Sequence, residues 1–86
     1  MEDTIQKWII KWFLNQTDAD EEDMLTNLEK DYFRAGWIDS FKFISFISDI
    51  EEKFNIVFTN DEFQNREFSR INGLSQIIKE KIKDEI

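Results

Sequence analysis

The chain has 86 residues and a formal net charge of −8, with no histidine, no cysteine and no proline. Without histidine or cysteine it has no thiol nucleophile, no disulfide, no serine–histidine pair and none of the usual zinc ligands. Its lysines and arginines are interleaved with acids, which excludes a nucleic-acid phosphate surface and leaves basic protein partners as the better electrostatic match.

A chain this short buries only about two-thirds of its surface on folding, so it needs bulky core material. Nine Phe, three Trp and one Tyr supply it. Two glycines and no proline leave few sharp reversals, the pattern of one domain over 1–86 with no internal repeat. No apolar run reaches the length of a membrane span, and Met1-Glu2-Asp3-Thr4 lacks the basic start of a secretory signal. The expectation is a cytoplasmic monomer with no stable membrane insertion.

Ile5, Trp8, Ile9, Trp12 and Phe13 recur at helical spacing behind Asp3 or Thr4, either of which suits an N-cap, and predict a helix over about 4–15. An interfacial membrane anchor is the alternative for this amphipathic stretch, but its few charges balance and no polybasic segment follows. From Asn15 to Gly36 the periodicity fades and acid accumulates in Asp18, Asp20, Glu21, Glu22 and Asp23. A connection of this length needs local structure or function, and Met24, Leu25, Leu28, Tyr32 and Phe33 are expected to tack it to the core. Asp18, Asp20, Glu22 and Glu29 match the first, third, fifth and twelfth positions of a calcium-binding loop. The sixth position is Asp23, where the sharp turn wants glycine, so an acidic surface loop without metal is the better reading.

From Asp39 the pattern is the strongest in the chain. Phe41, Phe43, Ile44, Phe46, Ile47, Ile50 and Phe54 alternate with Asp49, Glu51, Glu52 and Lys53, predicting a helix over about 40–54. The apolar stripe is wider than one bundle face requires, so some of it should stay accessible; Phe46, Ile47, Ile50 and Phe54 are assigned to the core. Asn55 to Asn60 reads as an extended connector, since a lone strand would have no partner. Asp61 to Glu67 reads as one or two turns holding Phe63 or Phe68 inward. A last helix starts near Ser69 to Asn72 and carries Leu74, Ile77, Ile78 and Ile82, with Lys79, Lys81 and Lys83 toward the end where cations suit the dipole. The sum is an all-α four-helix bundle with three long helices and one short.

Ser40 has two readings on local chemistry. Asp and Ser are preferred N-cap residues and Gly36 is a natural turn element, so Ser40 as a mere cap is the plain one. A helix start also offers N–H groups and positive dipole to a phosphate esterified there.

The run Phe33-Arg34-Ala35-Gly36-Trp37-Ile38-Asp39-Ser40-Phe41, followed by Ile44, Ile47, Ile50, Glu51, Phe54 and Ile56, resembles the acyl carrier protein family. Its signature is an apolar residue, Asp, Ser and a large apolar residue after a glycine-containing loop. The resemblance extends from about Leu28 to Ile78 and implies an acyl-carrier-like bundle. It also implies that Ser40, beside the motif residue Asp39, receives phosphopantetheine from coenzyme A through a phosphopantetheinyl transferase. The prosthetic thiol would then carry an acyl or aminoacyl group as a thioester, in lipid or secondary-metabolite biosynthesis. The implied partners are that transferase, a loading ligase and a downstream acyltransferase or synthase, while the carrier itself is no enzyme. Phe41 stands where leucine is commoner, and Lys42 and Lys53 make this helix less acidic than in typical carriers. The stretch Phe63 to Leu74 is similar to stand-alone carriers of the D-alanyl type.

On that reading partners dock on the exposed side of the 40–54 helix, through Phe41 and Ile44 as apolar contacts and Asp49, Glu51 and Glu52 as charges. The rigid aromatic interior, with only two methionines as adaptable filler, favours a small or polar cargo held outside the bundle. Two rivals from other classes are an enzyme using Lys, Asp or Glu as the base for Ser40, and an acidic helical interaction module in which Ser40 only caps a helix.

Overall fold

A computed structural model describes residues 2–84 of the chain, with side chains over 4–82. The three expected long helices are present: α1 (Glu2–Gln16), α3 (Ser40–Phe54) and α5 (Ile71–Asp84). Between them lie two short helices rather than one, α2 (Glu21–Thr26) and α4 (Asn60–Gln64), and a 3-10 turn over Arg66–Ser69. Helix α1 already runs at Glu2, so Asp3 and Thr4 lie inside it and do not cap it.

The hydrophobic stripe of α1 turns Ile5, Ile9, Ile10, Trp12 and Phe13 into the core, and α5 meets it with Ile71, Leu74 and Ile78. These two helices pack directly on each other, and the Gln6 amide donates to the Asn72 side chain across the seam. Helix α3 is held against α1 by rings instead. Phe46 lies 4.7 Å from Trp12 and 5.1 Å from Phe13, centroid to centroid, and half-buried Phe54 meets Trp8 edge-on at 5.5 Å. Phe46, Ile47 and Ile50 are buried as assigned. Asn55 closes α3 in the left-handed region at φ 56°, which asparagine tolerates better than most residues. Residues 56–59 then form a connector outside any helix, with Ile56 and Phe58 buried and Val57 exposed.

Helix α2 falls where only a loop was expected. Asp20 is its N-cap, accepting the Asp23 N–H at 3.0 Å, and three acids in the first turn complement the dipole. The helix starts inside the calcium-like spacing and spends the Asp20 carboxylate on its own backbone; among the described residues no cluster of acids is placed to hold a metal ion. Of the side chains expected to tack this segment down, Met24 and Tyr32 are buried and Leu28 is half-buried, but Leu25 is 51% exposed and Phe33 38%.

What fixes the long connection is backbone pairing to the start of α5. The Tyr32 N–H donates to the Ser69 carbonyl at 2.9 Å, the Asn72 N–H to the Leu28 carbonyl at 3.2 Å, and Asp31 and Arg70 form an isolated antiparallel bridge. The buried Tyr32 hydroxyl donates to the Phe68 carbonyl at 2.6 Å. Burial, and secondarily the charge of Asp31, push that hydroxyl's pKa up, so it stays a donor.

Helix α4 opens with a reciprocal capping box between Thr59 and Glu62. Lys81, expected to serve the α5 dipole, reaches back to the Glu62 carboxylate at 3.0 Å; the side chain of Lys83 lies outside the described residues. Partial burial is the largest single influence on Glu62 and would raise its pKa. The Thr59 N–H, the Lys81 ammonium and the Thr59 hydroxyl together outweigh it and hold the carboxyl below its usual 4.5.

Two predictions follow from this packing. Gly73 sits on α5 where an added Cβ would press on the Glu67 carbonyl and come within 2.7 Å of the Glu67 Cβ. In an open helix Gly→Ala would stabilise by roughly 1 kcal/mol; here Gly73→Ala should destabilise by about 1–3 kcal/mol in urea unfolding, because backbone must shift. A folded pKa held low contributes stability above the unfolded value and loses it as pH falls through the folded one. Glu62→Gln should therefore lower Tm at pH 7, with the gap to the parent closing below about pH 4.5. A gap that does not change with pH would mean that the carboxylate's charge contributes nothing.

Candidate functional site

The site is assembled at the start of α3 by the turn that precedes it. Asp31 accepts the Phe33 N–H at 2.8 Å and the Arg34 N–H at 3.2 Å, which folds the chain back on itself. Gly36 then takes φ +77°, a left-handed conformation that costs glycine nothing, and donates its N–H to the Phe33 carbonyl at 3.1 Å. Trp37 and Ile38 follow, both buried. The Trp37 indole donates to Asp23 of α2 at 3.0 Å and its backbone N–H to the Tyr32 carbonyl at 3.1 Å. Two residues of deep anchoring thus end at an exposed pair, Asp39 and Ser40.

Asp39, and not Ser40, is the cap. In extended geometry at φ −108° and ψ 179°, it accepts the Lys42 N–H on its carboxylate at 2.9 Å and the Phe43 N–H on its carbonyl at 2.9 Å. Ser40 is the first residue inside the helix, and its hydroxyl has no hydrogen-bond partner among the described residues. The reading of Ser40 as only an N-cap is therefore overturned: the backbone at this helix start is already served by its neighbour. The earlier amides of a helix's first turn have no intrahelical acceptor and remain for solvent or a ligand.

No histidine or thiol exists in the chain, and among the described residues no general base lies within hydrogen-bonding distance of the Ser40 hydroxyl. The arrangement presents an accessible hydroxyl without activating it. Beside it, a cleft of about 540 Å³ is lined by the end of α1 and the two residues after it (15–18), by the segment 36–39 and by Lys42.

The five residues assigned to a partner surface divide unequally. Phe41 and Ile44 are 85% and 66% exposed, and Glu52 is exposed with no ion pair among the described residues. Asp49, though exposed, accepts the Trp12 indole N–H at 2.7 Å. Glu51 is half-buried and accepts the Phe58 N–H at 3.0 Å, tying α3 to the connector after it. The Trp12–Asp49 bond escaped sequence reasoning, since nothing in the local pattern relates residue 49 to residue 12, and so did the return of Phe58 to Glu51 seven residues earlier.

A family model described as phosphopantetheine attachment site matches residues 7–78, from α1 well into α5 and with Ser40 inside the match. No curated protein and no solved structure matches the chain. Among the described residues no helix is long and apolar enough to cross a membrane.

The capping geometry makes an asymmetric prediction. Asp39→Ala should cost about 1 kcal/mol in urea unfolding. Ser40→Ala, which removes no hydrogen bond, should stay within about 0.5 kcal/mol of the parent. Equal losses at the two positions would show that the serine shares the cap.

Proposed function

The chain belongs to the family of phosphopantetheine-attachment carrier domains, and on that premise we propose that Ser40 is the residue that bears the phosphopantetheine arm. The observation that carries the assignment is the division of roles at the start of α3: Asp39 caps the helix and leaves the Ser40 hydroxyl exposed and unbonded. The residues present fit the group. The helix start is electrostatically suited to the phosphodiester, and Lys42 adds a cation with no ion pair among the described residues. The attached arm supplies a terminal thiol on which an acyl or aminoacyl group rides as a thioester.

In attachment the Ser40 oxygen forms an ester to phosphorus, the hydroxyl proton departs, and the nucleotide portion of coenzyme A is the leaving group. The base for that step comes from a separate transferase, since none of the described residues offers one at Ser40. This supports a carrier that is not itself an enzyme and that works where coenzyme A is made available, the cytoplasm. Phe41, Ile44 and Glu52 form the docking face for the transferase, the loading ligase and the acceptor enzyme. Asp49 and Glu51 contribute charge to that face while also holding Trp12 and Phe58.

A small or polar cargo agrees with the interior. Phe13, Tyr32, Phe46 and Phe68 are almost fully buried and join one network of ring contacts through Phe43. Opening a channel for a long chain would separate these contacts.

Incubation with coenzyme A and a broad-specificity transferase, followed by intact mass measurement, tests the assignment. Wild-type chain should gain one phosphopantetheinyl group, and Ser40→Ala should remain folded and unmodified. An unmodified wild type, or a modified Ser40→Ala, would sink it.

A further inference from the structure

Only three arginines occur in the chain, Arg34, Arg66 and Arg70, and all three line one cleft. The lysines, in contrast, are spread over every long helix. The cleft has a volume of about 560 Å³ and lies between the turn before Gly36 and the 3-10 turn before α5; Glu29, Lys30 and Asp31 complete its lining. Its four cations against two acids leave it positive in a chain of net charge −8.

The segments that carry the arginines are fastened to each other. The Asp31–Arg70 bridge and the Tyr32–Ser69 backbone bond lock the two segments together. Asp31 spends its carboxylate on the Phe33 and Arg34 amides, and Glu67 pairs with one edge of Arg70 at 3.0 Å. Arg34 and Arg66 are exposed and have no ion pair among the described residues. Phe33, next to Arg34 and partly exposed, packs on Phe43 of α3 at 5.0 Å between ring centroids, which joins this surface to the helix that Ser40 begins.

We infer that this cleft is a docking site for an acidic segment of a partner protein, a run of Asp and Glu side chains. A guanidinium presents paired N–H donors that match a carboxylate two at a time, which an ammonium does not. All three arginines of the chain stand here beside a single lysine, Lys30, and that concentration is what such pairing uses. Four cations around a cleft of about 560 Å³ offer more charge than one compact anion can pair, which suits several carboxylates in a row. The net charge of −8 disfavours an acidic partner over the chain as a whole, so a positive cleft also biases where such a partner lands. None of this depends on Ser40 carrying a prosthetic arm.

The three arginine side chains give three Nε–Hε resonances, so the cleft has its own spectroscopic reporter. The full-length ¹⁵N-labelled chain is titrated with a hexaglutamate peptide and, separately, with inorganic phosphate. At low salt the peptide should shift all three resonances saturably, the effect should fade as salt rises, and Arg34→Gln/Arg66→Gln should weaken binding by about tenfold or more. Both positions are exposed, and unchanged core amide shifts would confirm that the double variant is folded. Arginine signals that do not move, a double variant that binds as well as the parent, or equal shifts around Lys7, Lys11, Lys42 and Lys53 would overturn the inference. Saturation by phosphate at lower concentration than by the peptide would also overturn it, and would make the cleft a phosphate site.

Discussion

The buried hydroxyl of Tyr32 and the strap it belongs to organise the rest of this small fold. The long connection between α1 and α3 has too few apolar side chains to bury itself, and two of its larger ones, Leu25 and Phe33, stay partly in water. Tyr32 compensates by combining a completely buried ring with a hydroxyl that finds the Phe68 carbonyl. Its ring lies within 6.4 Å, centroid to centroid, of Phe13 on α1 and of Phe43 and Phe46 on α3. One residue therefore touches α1, α3 and, through Phe68, the turn that leads into α5. A buried polar atom is tolerable only when satisfied, and here its satisfaction is also what fastens the connection.

Because the strap is fixed at Tyr32, everything downstream of it has a defined direction. Trp37 returns to the Tyr32 carbonyl, its indole reaches Asp23, and the chain emerges at Asp39 in the extended geometry an N-cap needs. The carboxylate of Asp39 then does the structural task that a serine hydroxyl often performs. Ser40 is left as an exposed hydroxyl with positive backbone behind it and, among the described residues, no base beside it. Such an arrangement is poor for a nucleophilic enzyme and well suited to a group that a separate enzyme modifies. The same economy explains the composition: a chain whose reactive thiol is supplied by its prosthetic group needs neither histidine nor cysteine of its own.

The long helices were legible in the sequence because each carries a stripe of large apolar side chains at helical spacing. Phe46, Ile47 and Ile50 could be assigned to the core from period alone, and the motif around Ser40 was visible from its Gly36, Asp39 and Phe41 neighbours. Helix α2 was not, because only Met24 of its residues is buried and a six-residue helix held by its cap leaves no periodic trace. The placement of the cap at Asp39 was equally hidden, since Asp and Ser in sequence are both good caps and only backbone geometry separates them. Trp12 with Asp49, and Arg34 with Arg66 and Arg70, are relations between distant positions, set by packing that no local pattern encodes.

The central claim is a covalent bond at one oxygen, and phosphorus NMR reads that bond directly. After treatment with coenzyme A and a transferase, the chain should show a single phosphodiester resonance, and a proton–phosphorus correlation should connect it to the β-protons of Ser40. Correlation to the β-protons of Ser45, Ser48 or any other residue would contradict the account, as would a treated chain with no phosphorus resonance at all.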